Sequence, residues 1–181
     1  MDATRRHWLL GSLGFAAWTE IASAWQEAQS ATTYKTLTPA DAAEIDALAA
    51  TILPSDDTPG AREAGVIFFI DRALTTFDSD KRDAYREGML AVQRTRASIF
   101  PDSASIAALT PEQQMELMRA IEKTEFFELL RTHVMLGFLG PPSYGGNRDQ
   151  VGWKLIGFEH RMAFTPPFGF YDAAAMKEDG K

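Results

Sequence analysis

The side chains able to do chemistry in this chain are few and scattered. Glu159-His160 puts an acid beside a base, but helix or strand geometry would point adjacent side chains in different directions. His160 would need a partner from elsewhere to work as a general base. Glu125 and Glu128 stand one helical turn apart, a spacing that on a polar face ordinarily leaves both carboxylates solvated. Asp56-Asp57 lacks the spaced oxygen ligands and closing glutamate of a calcium loop. His7, His133 and His160 are too far apart for a local metal site, and the chain has no cysteine. Disulfides, thiolate zinc sites, thiolate-ligated iron–sulfur clusters and a C-x-x-C-H haem attachment are therefore excluded within it. No Gly-x-Gly-x-x-Gly, Gly-x-Ser-x-Gly or His-Glu-x-x-His occurs, and the Gly140 to Gly146 run lacks the Gly-Lys-Ser/Thr close of a phosphate loop. The expectation is a chain that is not catalytic by itself and carries no cofactor or metal of its own.

With 181 residues, 45% of them hydrophobic and 24% charged, the chain has the make-up of one globular domain with a real core. A formal charge of −7 without clustered Lys or Arg argues against nucleic acid as a main partner.

Residues 1–24 read as an export address. Thr4-Arg5-Arg6-His7-Trp8-Leu9 has the order of a twin-arginine signal: a small polar residue, two arginines, a spacer, an aromatic and a leucine. Leu9 to Trp18 is apolar but diluted by glycine and alanine, and shorter than the roughly 20 residues a membrane span needs. Ala22-Ser23-Ala24 offers a small-x-small cleavage site. This predicts an exported, periplasmic protein that touches a membrane only peripherally. The twin-arginine route carries proteins that fold before crossing, often with a cofactor bound. A chain lacking a cofactor motif fits that route if it folds fast or travels with a cofactor-bearing partner. Residues 25–36 show no clear period and read as a linker.

The body, residues 37–136, reads as a small all-α bundle of four to five helices. Thr38-Pro39-Ala40-Asp41 is a helix start, with an N-cap hydroxyl, a first-turn proline and an acid at the positive dipole end. Ile45, Leu48, Ala49, Ile52 and Leu53 form its apolar face before Pro54 stops it. A second helix is expected from Arg62 to Phe77, with Val66, Phe69, Ile70, Leu74 and Phe77 inward. A third runs from Ser79 to Phe100 with Tyr85, Met89, Val92 and Ile99 inward. Thr110 with Gln113 forms a capping box ahead of Leu117, Met118 and Ile121. The last helix, Thr124 to Leu136, turns Phe126, Phe127, Leu130 and Val134 inward and places His133 beside that face as a hydrogen-bonded boundary residue.

From 137 to 181 the composition changes to glycine, proline and aromatics. Pro141-Pro142 cannot continue a helix. Gly145-Gly146-Asn147 tolerates positive φ, predicting a sharp turn. Phe138, Tyr144, Trp153 and Phe158 are rings that demand burial in this chain or in a partner, and Phe164, Phe168, Phe170 and Tyr171 flank a second Pro-Pro. Consecutive prolines keep such a tail extended and poor at making its own core, so its rings need a groove. The segment either staples the helices together or docks a partner through Tyr144, Gly145, Gly146, Asn147, Arg148, Asp149, Trp153, Phe158, Phe164, Phe168, Phe170 and Tyr171.

The run Pro142-Ser143-Tyr144-Gly145-Gly146-Asn147-Arg148-Asp149, then Gly152-Trp153 and Ile156-Gly157, resembles the signature of the gluconate 2-dehydrogenase subunit 3 family. Ile52-Leu53-Pro54, Gly65-Val66, Ile70-Asp71 and the twin-arginine leader are similar to that family too. The resemblance implies the small subunit of a periplasmic sugar or glycoside dehydrogenase. There a catalytic partner of the glucose–methanol–choline type holds FAD, and electrons leave through a cytochrome c carrying haem or another acceptor. The small subunit would help the flavoprotein mature and lend it the export signal, read by the twin-arginine machinery. The family often continues I-G-x-P-G, whereas this chain reads Ile156-Gly157-Phe158-Glu159-His160, so contacts beyond Phe158 are expected to be particular to its subfamily. The alternative is a free-standing periplasmic module whose aromatic tail lines a sugar or lipid pocket.

Overall fold

The computed structural model describes residues 33–161 together with 163 and 169. Arg5, Arg6, Trp8, Leu9, Phe164, Phe168, Phe170 and Tyr171 lie outside the described residues. Among the described residues six α-helices follow one another: α1 Pro39–Ile52, α2 Val66–Thr75, α3 Arg82–Ile99, α4 Pro111–Ile121, α5 Glu125–Leu139 and the short α6 Val151–Leu155. Single 3-10 turns stand at Ser79–Lys81, Pro142–Tyr144 and Arg148–Gln150. The all-α expectation holds, with one helix more than the upper expected count. The addition is α6, five residues within the segment expected to be irregular.

The starts follow local chemistry. The Thr38 hydroxyl accepts the Asp41 N–H, Thr110 and Gln113 close a reciprocal capping box, and Thr124 accepts the Phe127 N–H. Each cap contributes about 1 kcal/mol by satisfying a backbone donor that the helix leaves orphaned. Other boundaries differ from the sequence expectation. Helix α2 begins at Val66 because Gly65 takes a left-handed conformation and residues 61–65 turn instead. It ends at Thr75, so Phe77 leaves the inner face and stands 51% exposed, tilted against Phe69 and edge-on to Tyr144. Helix α3 starts only after the 3-10 turn, and Ile99 at its end is half-buried. Helix α5 runs three residues past Leu136, through Gly137 and Phe138 to Leu139.

Helices α2 and α5 pack most extensively and form the centre. Helix α1 lies against both of them and against α4, and α3 lies against α4 and α5. Ile45, Leu48, Ile70, Leu74, Leu117, Leu130 and Val134 are fully buried between them. At about 25 cal/mol per Å² of apolar surface removed from water, each such side chain contributes roughly 1.5–3 kcal/mol.

Two polar devices sit inside this apolar frame. The buried Asp71 carboxylate accepts the N–H groups of Lys35, Thr36 and Leu37 at 2.7–2.8 Å, tying the segment before α1 across α2. His133 is buried, not at a boundary. It stacks on Tyr85 and joins α3 to α5. Its Nε2 lies 3.2 Å from the Asp78 carboxylate, which can only accept, so Nε2 carries the proton and Nδ1 accepts from the Tyr85 hydroxyl at 2.8 Å. Burial holds the His133 imidazole below its ordinary range, opposed by Asp78 and reinforced by Lys81. Burial, with Asp78, pushes the Tyr85 phenol up.

The folded state thus binds the His133 proton less readily than the unfolded chain. Stability is fully present above the unfolded histidine pKa near 6.5 and is lost as pH falls below it. Thermal melts from about pH 7.5 to about pH 5 should show Tm falling, and His133→Gln should flatten that slope. Parallel slopes in the two proteins would refute this assignment.

Candidate functional site

The two prolines that close α5 create the problem that the signature residues solve. A helical carbonyl is satisfied by the N–H four residues on. For Gly137 and Phe138 those positions are Pro141 and Pro142, which have no N–H. The loop brings other groups to the end of α5. The Asn147 N–H donates to Gly137 O at 2.7 Å, and its side-chain Nδ2 donates to Gly140 O at 2.9 Å. The Trp153 indole N–H donates to Leu139 O at 2.6 Å. Asn147 Oδ1 meanwhile accepts the Gly152 N–H at 2.9 Å, an orphan donor at the start of α6. One fully buried asparagine therefore joins the C-terminus of α5 to the N-terminus of α6.

The backbone must make tight turns to place these groups. Gly145 has φ +98°, as the Gly-Gly-Asn run predicts, and Asn147 sits at +45°. Gly146 does not have positive φ. A Cβ on it would overlap the Gly137 carbonyl, so it is required for close approach. Gly152 is required in the same way against the Phe138 carbonyl. Asp149 and Gln150 also adopt positive φ, at +53° and +58°; aspartate tolerates this region, whereas nothing in the residue type of Gln150 announces it.

The rings divide. Phe138 and Trp153 are buried, the latter 7% exposed, with Phe158 edge-on at 5.0 Å and His160 stacked at 5.2 Å. Tyr144 and Phe158 are each 45% exposed, and Leu155 and Ile156 stand exposed between Trp153 and Phe158. Arg148 is half-buried with its guanidinium 3.8 Å over the Phe68 ring, while Asp149 faces solvent. Of the residues expected to face a partner, Gly145, Gly146, Asn147 and Trp153 brace the fold, and Tyr144, Asp149 and Phe158 remain outward.

The candidate acids and bases stay on the surface. Glu128 pairs with Arg131 and Glu159 with Arg161, while His160 lies on Trp153. Asp56 accepts both the N–H and the hydroxyl of Thr58, closing its own turn. No group of His, Asp and Glu that could hold a metal occurs among the described residues. A cleft of about 290 Å³ lies between the 36–37 segment, α1 and α3, lined by Leu37, Glu44, Arg82, Tyr85 and Met89. Its polar groups are engaged within the fold: Glu44 takes Ile106 N–H and Gln93, and Arg82 donates to the Leu74 carbonyl.

Sequence reasoning did not identify Asp71, Tyr34, Asp78, Leu155 or Ile156 as functional or bracing residues. Asp71 carried a signal, a carboxylate inside the inward-facing run Val66–Leu74. Ile156 stood in the signature run without a role assigned to it, and Tyr34, Asp78 and Leu155 carried no signal.

Asn147→Ala should destabilise the fold by about 2–4 kcal/mol, because buried groups at both helix ends lose their partners. The nearly isosteric Asn147→Asp should fare no better, since it turns an oxygen toward Gly140 O. Denaturant titration decides, and a tolerated aspartate would exclude the donor role.

Comparison with curated proteins and with solved structures finds no match to this chain. The model of one protein family matches residues 39–159, from the first turn of α1 through α6 to just past Phe158. By that match the chain belongs to the gluconate 2-dehydrogenase subunit 3 family.

Proposed function

We propose that this chain is the non-catalytic small subunit of a periplasmic FAD-dependent dehydrogenase acting on a sugar acid or glycoside, and that it escorts the flavin subunit through maturation and export. Family membership makes it a subunit of a dehydrogenase complex and so implies a catalytic partner. FAD would reside in that partner, of the glucose–methanol–choline type, and haem c in a possible third, cytochrome subunit. The complex would sit in the periplasm, at most peripherally on the inner membrane. The Arg5-Arg6 leader supports the twin-arginine route.

One observation carries the docking part of this reading. The signature segment spends Asn147 and Trp153 on bracing α5 and α6, yet leaves Tyr144, Leu155, Ile156 and Phe158 turned out of the same segment. Large apolar side chains exposed within one short segment cost solubility unless a partner covers them, and aromatic anchors dominate interface energies. The tail rings Phe164, Phe168, Phe170 and Tyr171 would extend this surface.

Tyr144→Ala and Phe158→Ala should leave the melt of the isolated chain nearly unchanged and weaken co-purification of the flavin subunit. A loss of about 2 kcal/mol, or roughly thirtyfold, is the scale expected for such anchors. Trp153→Ala should instead destabilise the chain itself by about 3–5 kcal/mol. Undiminished co-purification of the Tyr144→Ala, Phe158→Ala double variant would refute docking through this edge. Arg5→Lys with Arg6→Lys should hold the active complex in the cytoplasm, and periplasmic activity from that variant would rule out the escort role.

A further inference from the structure

The segment that leads out of the linker and the signature loop meet on a single side chain. Tyr34 stacks on the Phe68 ring at 5.2 Å with an interplanar angle of 19°. The Arg148 guanidinium lies 3.8 Å from the centroid of the same ring. Parallel rings and a cation over a π face are both favourable arrangements, and each holds Phe68 in the orientation the other needs.

Both contacts are built on fixed backbone. On the Tyr34 side, Asp71 accepts three successive N–H groups from Lys35, Thr36 and Leu37, and the Thr36 and Thr75 hydroxyls meet at 2.6 Å. On the other side, the Arg148 N–H donates to Ala64 O at 3.0 Å, and its stem lies across Gly65. Burial lowers the Arg148 pKa, while the neighbouring Tyr34 and Asp149 oppose that shift. Burial raises the Tyr34 phenol, Asp46 and Asp71 add to the rise, and Arg148 opposes it. The first turns of α2 thus serve as a plate gripped by residues 114 positions apart (148 − 34).

We infer that Tyr34 is a positioning residue for the docking loop: by holding Phe68 it holds Arg148, and so couples the segment that leads into α1 to the surface that meets the flavin subunit. The inference rests on the docking reading above and adds to it a physical link between the segment before α1 and the loop. Arg148 opens the 3-10 turn that carries Asp149 and Gln150 at positive φ and leads directly into α6. Loosening its side chain frees the strained turn, and with it the approach to Leu155, Ile156 and Phe158. Partner binding at the loop would in return tighten the 34–37 segment, since coupling between two sites is reciprocal.

The test uses the full chain in two arms. In the first, amide hydrogen exchange is followed in the isolated chain for Tyr34→Ala, Tyr34→Leu and Tyr34→Phe. Tyr34→Ala and Tyr34→Leu should each speed exchange at the Arg148 and Asn147 amides by about two- to thirtyfold. The amides of Leu48 and Leu117 in the core should keep their protection, and Tyr34→Phe, which retains the stack, should restore the wild-type rate. In the second arm, the same variants are titrated against the purified flavin subunit, and affinity should fall and recover in the same order. Unchanged exchange at Arg148, or a loss spread equally over Leu48 and Leu117, would overturn the inference. Tyr34→Leu guards against a cavity effect of the alanine, because it keeps apolar volume and removes only the ring. The exchange arm needs no partner, so it decides the coupling even where wild-type chain and flavin subunit fail to bind. That failure would overturn the docking reading alone.

Discussion

A helix that ends in two prolines leaves its last carbonyls without backbone donors, and much of the C-terminal half follows from that deficit. Gly137 O and Phe138 O face Pro141 and Pro142, and a buried carbonyl without a partner costs about 1–3 kcal/mol. The chain meets the deficit at Gly137 O, and supplies donors to Leu139 O and Gly140 O as well, by folding back on itself. Asn147 supplies a backbone and a side-chain donor, Trp153 supplies an indole N–H, and glycines at 146 and 152 allow the approach. The signature Y-G-G-N followed by G-W is thus foremost a helix-terminating device. Its residue types are set by the carbonyl geometry at the end of α5, ahead of any demand from a partner.

The same geometry decides what is left for a partner. With Trp153 anchored on Leu139 O, Leu155 at the end of α6 and Ile156 and Phe158 after it emerge exposed, Phe158 beside the braced indole. Tyr144 emerges likewise, because Gly145 packs beneath it against α2 and its ring finds only the edge of Phe77. A rigid base with exposed rings suits binding, since little conformational entropy remains to be lost on docking. That is the physical content of the accessory-subunit reading in a chain whose acids and bases are scattered or engaged with one another.

Polar groups inside the bundle act as ties. Asp71 holds the segment before α1 across α2, and the Asp78–His133–Tyr85 chain joins the 3-10 turn region, α5 and α3. Such networks stabilise only when every member is satisfied, and here the neutral tautomer of His133 satisfies both neighbours. Phe68 belongs with these ties although it is apolar, since it is the meeting point of Tyr34 and Arg148.

Local chemistry alone determined the capped starts of α1, α4 and α5, the proline stops, the inner faces of those three helices, and the absence of a recognisable catalytic motif. Caps and periodicity act within one or two turns, so residues close in sequence suffice to read them. The Y-G-G-N and G-W run also identified the family, because that spacing is local too. Only the tertiary structure decided that Gly146 is needed for space and Gly145 for conformation, that Trp153 turns inward while Tyr144 and Phe158 stay out, and that His133 is buried. It alone brought Tyr34, Phe68 and Arg148 together. Those outcomes depend on which carbonyl or ring lies across from a residue after the chain has doubled back. Asp71 lies between the two cases: its place in an apolar run marked it as unusual, but its three donors come from the 35–37 segment, a connection set by the path of the chain.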